Sequence, residues 1–188
     1  MKKFLIYALI LMISACCWRS PDSSFYMMDS RNLEKVSDKK LNIAVQPVNV
    51  PDLLDRPQLV TYDANSRQIN MLEFTRWGES FPSVLQSTIT NDLIAYLPNS
   101  YVKSARYDTE TLTYNIKVEI NKIEAVQNGK VRLSVWWNIA GADGYVLKRR
   151  QATYETVVEN NDIASLIKAE NMAVHLLSRD IAETLNKM

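Results

Sequence analysis

The sequence predicts an α+β domain, an antiparallel-rich β-sheet with two main helices packed on one of its faces. Three observations carry this prediction. Apolar residues alternate strictly over 41–46, 112–120 and 131–139, the period of half-buried strands. Two stretches, 79–97 and 161–188, instead repeat apolar residues at three- and four-residue intervals, as amphipathic helices do. Turn-forming residues separate the alternating runs, and no repeat or low-complexity tract interrupts the order.

The first segment stands apart from the fold. Lys2 and Lys3 precede an apolar run from Phe4 to Ile13, and Ile13-Ser14-Ala15-Cys16 follows. Small residues leading into a thiol form the pattern of a lipoprotein export signal, in which Cys16 becomes the acylated amino terminus. A membrane-spanning anchor needs about 20 apolar residues, and this run is broken by Ser14 and followed by Arg19 and Asp22. The expected organisation is therefore a signal peptide over 1–15, the lipidated Cys16 and its tether over 16–24, and one domain over 25–188. Two or more acyl chains anchor stably where one does not. Cys17, and not an aspartate that would retain the protein in the inner membrane, follows the modified residue, which favours the outer membrane with the domain facing the periplasm.

The elements follow in order. Phe25-Tyr26-Met27-Met28 is a short apolar run suited to open a sheet, and 29–40 is polar and reads as a loop. Leu41, Ile43 and Val45 define a strand that Pro47 ends or bends, after which the apolar phase flips to Val48 and Val50. Pro51 and Pro57 bracket a turn, and Gln58–Tyr62 with Gln68–Phe74 make a hairpin around 63–66. The first helix aligns Phe81, Val84, Leu85, Ile89, Leu93, Tyr96 and Leu97, with Pro82 tolerated in its first turn and Pro98-Asn99-Ser100 as its stop. Leu112 to Ile120 alternates, then shifts phase to Ile123 and Ala125, predicting a bulge near Asn121. Asn128-Gly129 is a hairpin turn. The return strand places Val131, Leu133, Val135, Trp137 and Ile139 on one face and Trp136 on the other, and a third strand runs from Tyr145 to Val158 after the Gly141–Gly144 turn. The last helix carries a stripe of Ile163, Leu166, Ile167, Val174, Leu177, Ile181 and Leu185, with Asn161 or Asp162 as its cap and Lys187 at its carboxyl end.

Composition narrows the function. The 188 residues carry a formal net charge of +1, which becomes −1 once Lys2 and Lys3 leave with the signal. A near-neutral domain is a poor polyanion binder, so nucleic acid is not an expected partner. Cysteine occurs only at 16 and 17, so packing and not a disulfide must stabilise the domain. His175, the only histidine, lies on the flank of the last helical stripe, where a surface or hydrogen-bonded role is expected; without it no Ser/His/acid set can be assembled, Cys16 and Cys17 at the membrane end supply no zinc site, and four glycines make no phosphate-cradling loop. No catalytic residue, metal ligand or cofactor is expected beyond the covalent lipid on Cys16. Glu170 interrupts the last helical stripe, where snorkelling to the edge is the expected outcome. Lys148-Arg149-Arg150 reads as a charged strand edge protected against aggregation. Trp77 is expected in the core or as a lid. For Trp136 two readings stay open, an outward contact anchor or a residue under a second layer.

Longer motifs add a resemblance. The lipobox at Cys16, the opening Phe25-Tyr26-Met27-Met28, the run from Val50 through Pro51-Asp52-Leu53-Leu54-Asp55-Arg56-Pro57-Gln58 to Val60, the segment Arg76-Trp77-Gly78-Glu79, Val84-Leu85, Asn91-Asp92-Leu93 and Gly129 to Trp136 together resemble the PqiC-type auxiliary lipoproteins of ABC and Mce transport systems. The similarity covers about residues 14–185, with Gly78 in place of an alanine and Ile123 in place of an aromatic. The resemblance implies a non-enzymatic subunit, anchored in the outer membrane, that docks on the periplasmic end of an Mce-domain protein moving lipids between the membranes, and it allows a homo-oligomeric ring. It marks Pro51, Leu54, Arg56, Pro57 and Trp77 as the motif core, with Trp136 as a further interface candidate. Arg56 is expected to pair with Asp55 or Glu79. The alternative, a lipid-binding carrier, requires an internal apolar cavity.

Overall fold

Among the described residues, two sheets and two helices share one core. The computed structural model describes residues 21–63, 66, 68–107, 112–126 and 129–188; the expected export signal, Cys16 and Asn128 lie outside the described residues. A three-stranded sheet has the order β1-β4-β3, formed by β1 (Ser24–Tyr26), β3 (Gln58–Tyr62) and β4 (Ile69–Trp77). A five-stranded sheet has the order β5-β2-β6-β7-β8, formed by β2 (Asn42–Val45), β5 (Tyr101–Ser104), β6 (Tyr114–Ala125), β7 (Lys130–Gly141) and β8 (Val146–Val157). Helix α1 (Phe81–Tyr96) packs against β2 and β5, α2 (Ile163–Lys187) packs against β7 and β8, and the helices touch each other.

The expected meander is present, and its alternation decides which side chains enter the core. Val131, Leu133, Val135, Trp137 and Ile139 of β7 are all buried, facing the helices. The register between β6 and β7 slips between Ile120 and Lys122, so the bulge lies at the predicted Asn121 and returns Ile123 to the core side. Strand β8 has a neighbour on one side only, as the Lys148-Arg149-Arg150 run predicted for an edge. Its inward residues bind α2: Tyr154 Oη donates to Asp180 Oδ2 at 2.8 Å and Thr156 Oγ1 to the Ala169 carbonyl at 2.7 Å.

Three features depart from the expectation. The single sheet is two sheets, and β2 lies between two parallel neighbours, β5 and β6. A strand so placed is covered on both faces, and Ile43, Ala44 and Val45 are completely buried. The return from α1 supplies β5, a strand with no sequence signature because only Val102 of its four residues is buried. The phase flip at Val48 and Val50 produces no strand; Asn49 makes only an isolated bridge to Glu119. Gln86 of α1 ties this region together by donating from Nε2 to the carbonyls of Val45 and Ala105 at 2.9 and 2.8 Å.

The last helix begins as predicted. Asp162 Oδ1 accepts from the Ser165 amide at 2.7 Å, satisfying one of the unpaired N–H groups of the first turn. Replacing Asp162 with alanine is expected to cost about 1 kcal/mol, measured as a lower urea midpoint with an unchanged slope.

Candidate functional site

The proline-bracketed turn and the end of β4 form one unit. The Pro51 carbonyl accepts from the amides of Leu54 and Asp55 at 2.8 and 3.2 Å, and the Trp77 amide donates to the Pro57 carbonyl at 2.7 Å. Trp77 stacks on Phe81, the first residue of α1, with ring centroids 5.1 Å apart. Four of the five motif residues thus take part in joining the turn, the small sheet and α1. Leu54 and Trp77 are buried, Pro51 and Arg56 half-buried, and Pro57 exposed.

Arg56 does not make the expected ion pair with Asp55 or Glu79. Its Nη1 lies 2.8 Å from Met71 Sδ on β4, because the turn sends Asp55 outward into solvent. The departure at Gly78 has a local cause. A Cβ built there would meet Met27 Sδ at 2.8 Å, so the Met27 side chain occupies the space an alanine methyl would take.

Glu170 overturns the snorkelling expectation. It is 4% exposed, and its Oε2 has no hydrogen-bond partner. It lines a cavity of about 10 Å³ with Leu54, Gln58, Leu59, Val60, Trp77 and Phe81. Loss of water around the carboxylate pushes its pKa up to about 8. The helix gives Glu170 no route to the edge, since the small sheet closes over that end of the stripe. His175 is also buried, and its Nδ1 lies 2.8 Å from Oδ2 of the fully buried Asp92 on α1. This pair joins the two helices, beside Tyr96 Oη, which donates to the His175 carbonyl at 3.2 Å. Neither burial was legible in the sequence, because the 3.6-residue period marks a face without stating what covers it.

Two surface concavities flank the bulge at Asn121. One is an apolar slot of about 130 Å³ between the proline turn and the strands, lined by Pro51, Leu53, Leu54, Val60, Tyr62 and Ile123. The other is a polar cleft of about 440 Å³ on the outward face of the five-stranded sheet. Trp136 lies in it and is 40% exposed, so the outward reading holds, and among the described residues no helix covers it. Trp136 is not brought together with Pro51, Leu54, Arg56, Pro57 and Trp77. Among the described residues no group of three or more histidine, cysteine, aspartate or glutamate side chains is placed to hold a metal ion, and no helix is long and apolar enough to cross a membrane.

Comparison with known proteins fits this arrangement. A crystal structure of an uncharacterised protein superposes with a TM-score of 0.72 at 18% identity, covering 88% of this chain and 99% of the other. A protein from Xanthomonas campestris superposes with a TM-score of 0.69 at 11% identity, covering 87% and 94%. At these identities the likeness is one of fold. No curated protein sequence matches the chain. Residues 28–182 match the family described as the ABC-type transport auxiliary lipoprotein component. That match spans most of the sequence, from before β2 to the last turns of α2 and including the proline turn, and the chain belongs to this family of lipoprotein components.

Proposed function

We propose that the protein is a non-catalytic accessory subunit, held by acylated Cys16 on the periplasmic face of the outer membrane, that docks on an Mce-type lipid transport system between the two membranes. Membership of the transport auxiliary lipoprotein family carries this reading, and a homo-oligomeric ring on the transport protein accords with it. The size of the apolar slot favours docking over carrying. At about 130 Å³ it is comparable to the cavity of ~150 Å³ that holds one benzene, too small for a pair of acyl chains. A near-neutral domain with a rigid turn bound to its core suits protein contact. Affinity purification of the full-length protein after gentle detergent solubilisation is expected to recover an Mce-domain protein in stoichiometric amount. Recovery of the lipoprotein alone, or loaded with phospholipid, would overturn the docking reading.

A further inference from the structure

The outward face of the five-stranded sheet is built in cross-strand rows. Lys117, Asn138 and Arg149 are aligned across β6, β7 and β8, and the next row contains Asn49, Glu119, Trp136 and Gln151. Residues of both rows, with Asn121 at the bulge, line the cleft of about 440 Å³, a volume within the range of small-ligand sites. Both helices pack on the opposite face.

The cleft offers unused polar groups around an aromatic platform. The side chains of Asn49, Asn121 and Asn138 make no hydrogen bond among the described residues, and the Asn138 Oδ1 is buried without a donor. Arg150 is neutralised by Asp180 on the helical side, whereas Arg149, facing the cleft, makes no ion pair among the described residues. We infer that this cleft is a saccharide site, and that its occupant is a cell-wall glycan whose sugar bears a carboxylate.

The chemistry of the lining selects this class. An acyl chain requires walls that are apolar throughout, and here amides and charged groups share the lining with Pro47 and Trp136. A peptide that adds a strand requires a free sheet edge, and the cleft lies over β7, which pairs with β6 and β8, and over the stretch of β6 up to Ile120, whose outer side is taken by the backbone of Gln46 and Asn49. A pyranose ring presents a C–H face to an indole and hydroxyls at its rim. Hydroxyls both donate and accept, as carboxamides do, so three carboxamides match them without a fixed polarity. Arg149 lines the cleft, and a guanidinium binds a carboxylate in fork geometry. A lipoprotein of the cell envelope meets such a group on N-acetylmuramic acid in glycan strands stripped of their peptide stems, where the lactyl carboxyl is free of its amide bond and ionised. This inference is independent of docking on a transport protein.

Calorimetric titration of the full domain with the disaccharide of N-acetylglucosamine and N-acetylmuramic acid tests it, with chitobiose as the uncharged comparison. Saturable binding of both is expected, tighter for the acidic disaccharide. Trp136→Ala is expected to weaken both by about 10-fold or more, the scale of one lost contact near 1.4 kcal/mol. Arg149→Gln is expected to weaken the acidic disaccharide by about 5-fold and to leave chitobiose unchanged, since only the charge-assisted bond is lost. Both residues are exposed, so unchanged melting temperatures will show that the fold is intact. Absence of saturable binding at millimolar disaccharide, or equal affinity in folded Trp136→Ala, would overturn the saccharide site. Equal weakening of both sugars by Arg149→Gln would overturn its preference for a carboxylate.

Discussion

Replacing Trp77 with alanine is expected to destabilise the domain by about 3–5 kcal/mol, the range for truncating a buried tryptophan. The side chain is 4% exposed and lies between the proline turn, the start of α1 and Glu170. Removing the indole deletes its stack on Phe81 and enlarges the cavity that Glu170 already lines. The turn cannot collapse to fill the space, because the backbone bond from the Trp77 amide to the Pro57 carbonyl survives the substitution and holds the chains apart. Urea unfolding followed by circular dichroism reads the loss, and Trp77→Phe, which retains a ring against Phe81, is expected to recover about half of it. A loss below about 1 kcal/mol for alanine, the level of ordinary surface changes, would show that this junction is not part of the cooperative core.

The pH dependence of stability should be dominated by Glu170. Its folded pKa of about 8 lies above the ordinary carboxyl value of 4.5. The folded state therefore holds a proton that the unfolded state releases between these values. Stability is fully present below about pH 4.5, falls as pH rises, and levels off above about pH 8. A difference of this size amounts to roughly 3–5 kcal/mol over the whole window. Glu170→Gln keeps the shape and cannot ionise, so its stability is expected to lack this decline. The variant should match the parent near pH 5 and exceed it by a few kcal/mol at pH 8. Parallel stability curves for the two proteins between pH 5 and 8 would contradict the burial of an uncompensated carboxyl.

The sequence resolved what depends on short-range periodicity. Alternation in 131–139 identified the five inward residues of β7, the phase shift after Ile120 located the bulge, and the three- and four-residue spacing delimited both helices. It failed where partners are distant. The four residues of β5 form a strand only because β2 offers an edge, and nothing local in Tyr101–Ser104 reports that edge. The environments of Glu170 and His175 are supplied by the small sheet and by Asp92 of the other helix, contacts that a single helical stripe does not encode. The motif core was legible as a linear signature, but the role of its members was not. Trp77 and Leu54 face inward, and Arg56 contacts a methionine instead of the expected carboxylate. Trp136 was legible as outward-facing because β7 alternates without interruption. The carboxamides around it come from β6, β7 and the segment after β2, and only the register assembles them.

The position of β2 also constrains how the chain acquires its structure. Ile43 pairs with Val102 on one side and Tyr114 on the other, partners about 60 and 70 residues later in the sequence. Closing such loops costs entropy before any contact compensates it, and topologies of this kind fold slowly. A nascent chain that ends before residue 101 lacks both neighbours of its innermost strand. It is expected to stay pliable, and so competent for threading through a narrow conduit, until most of the polypeptide is available.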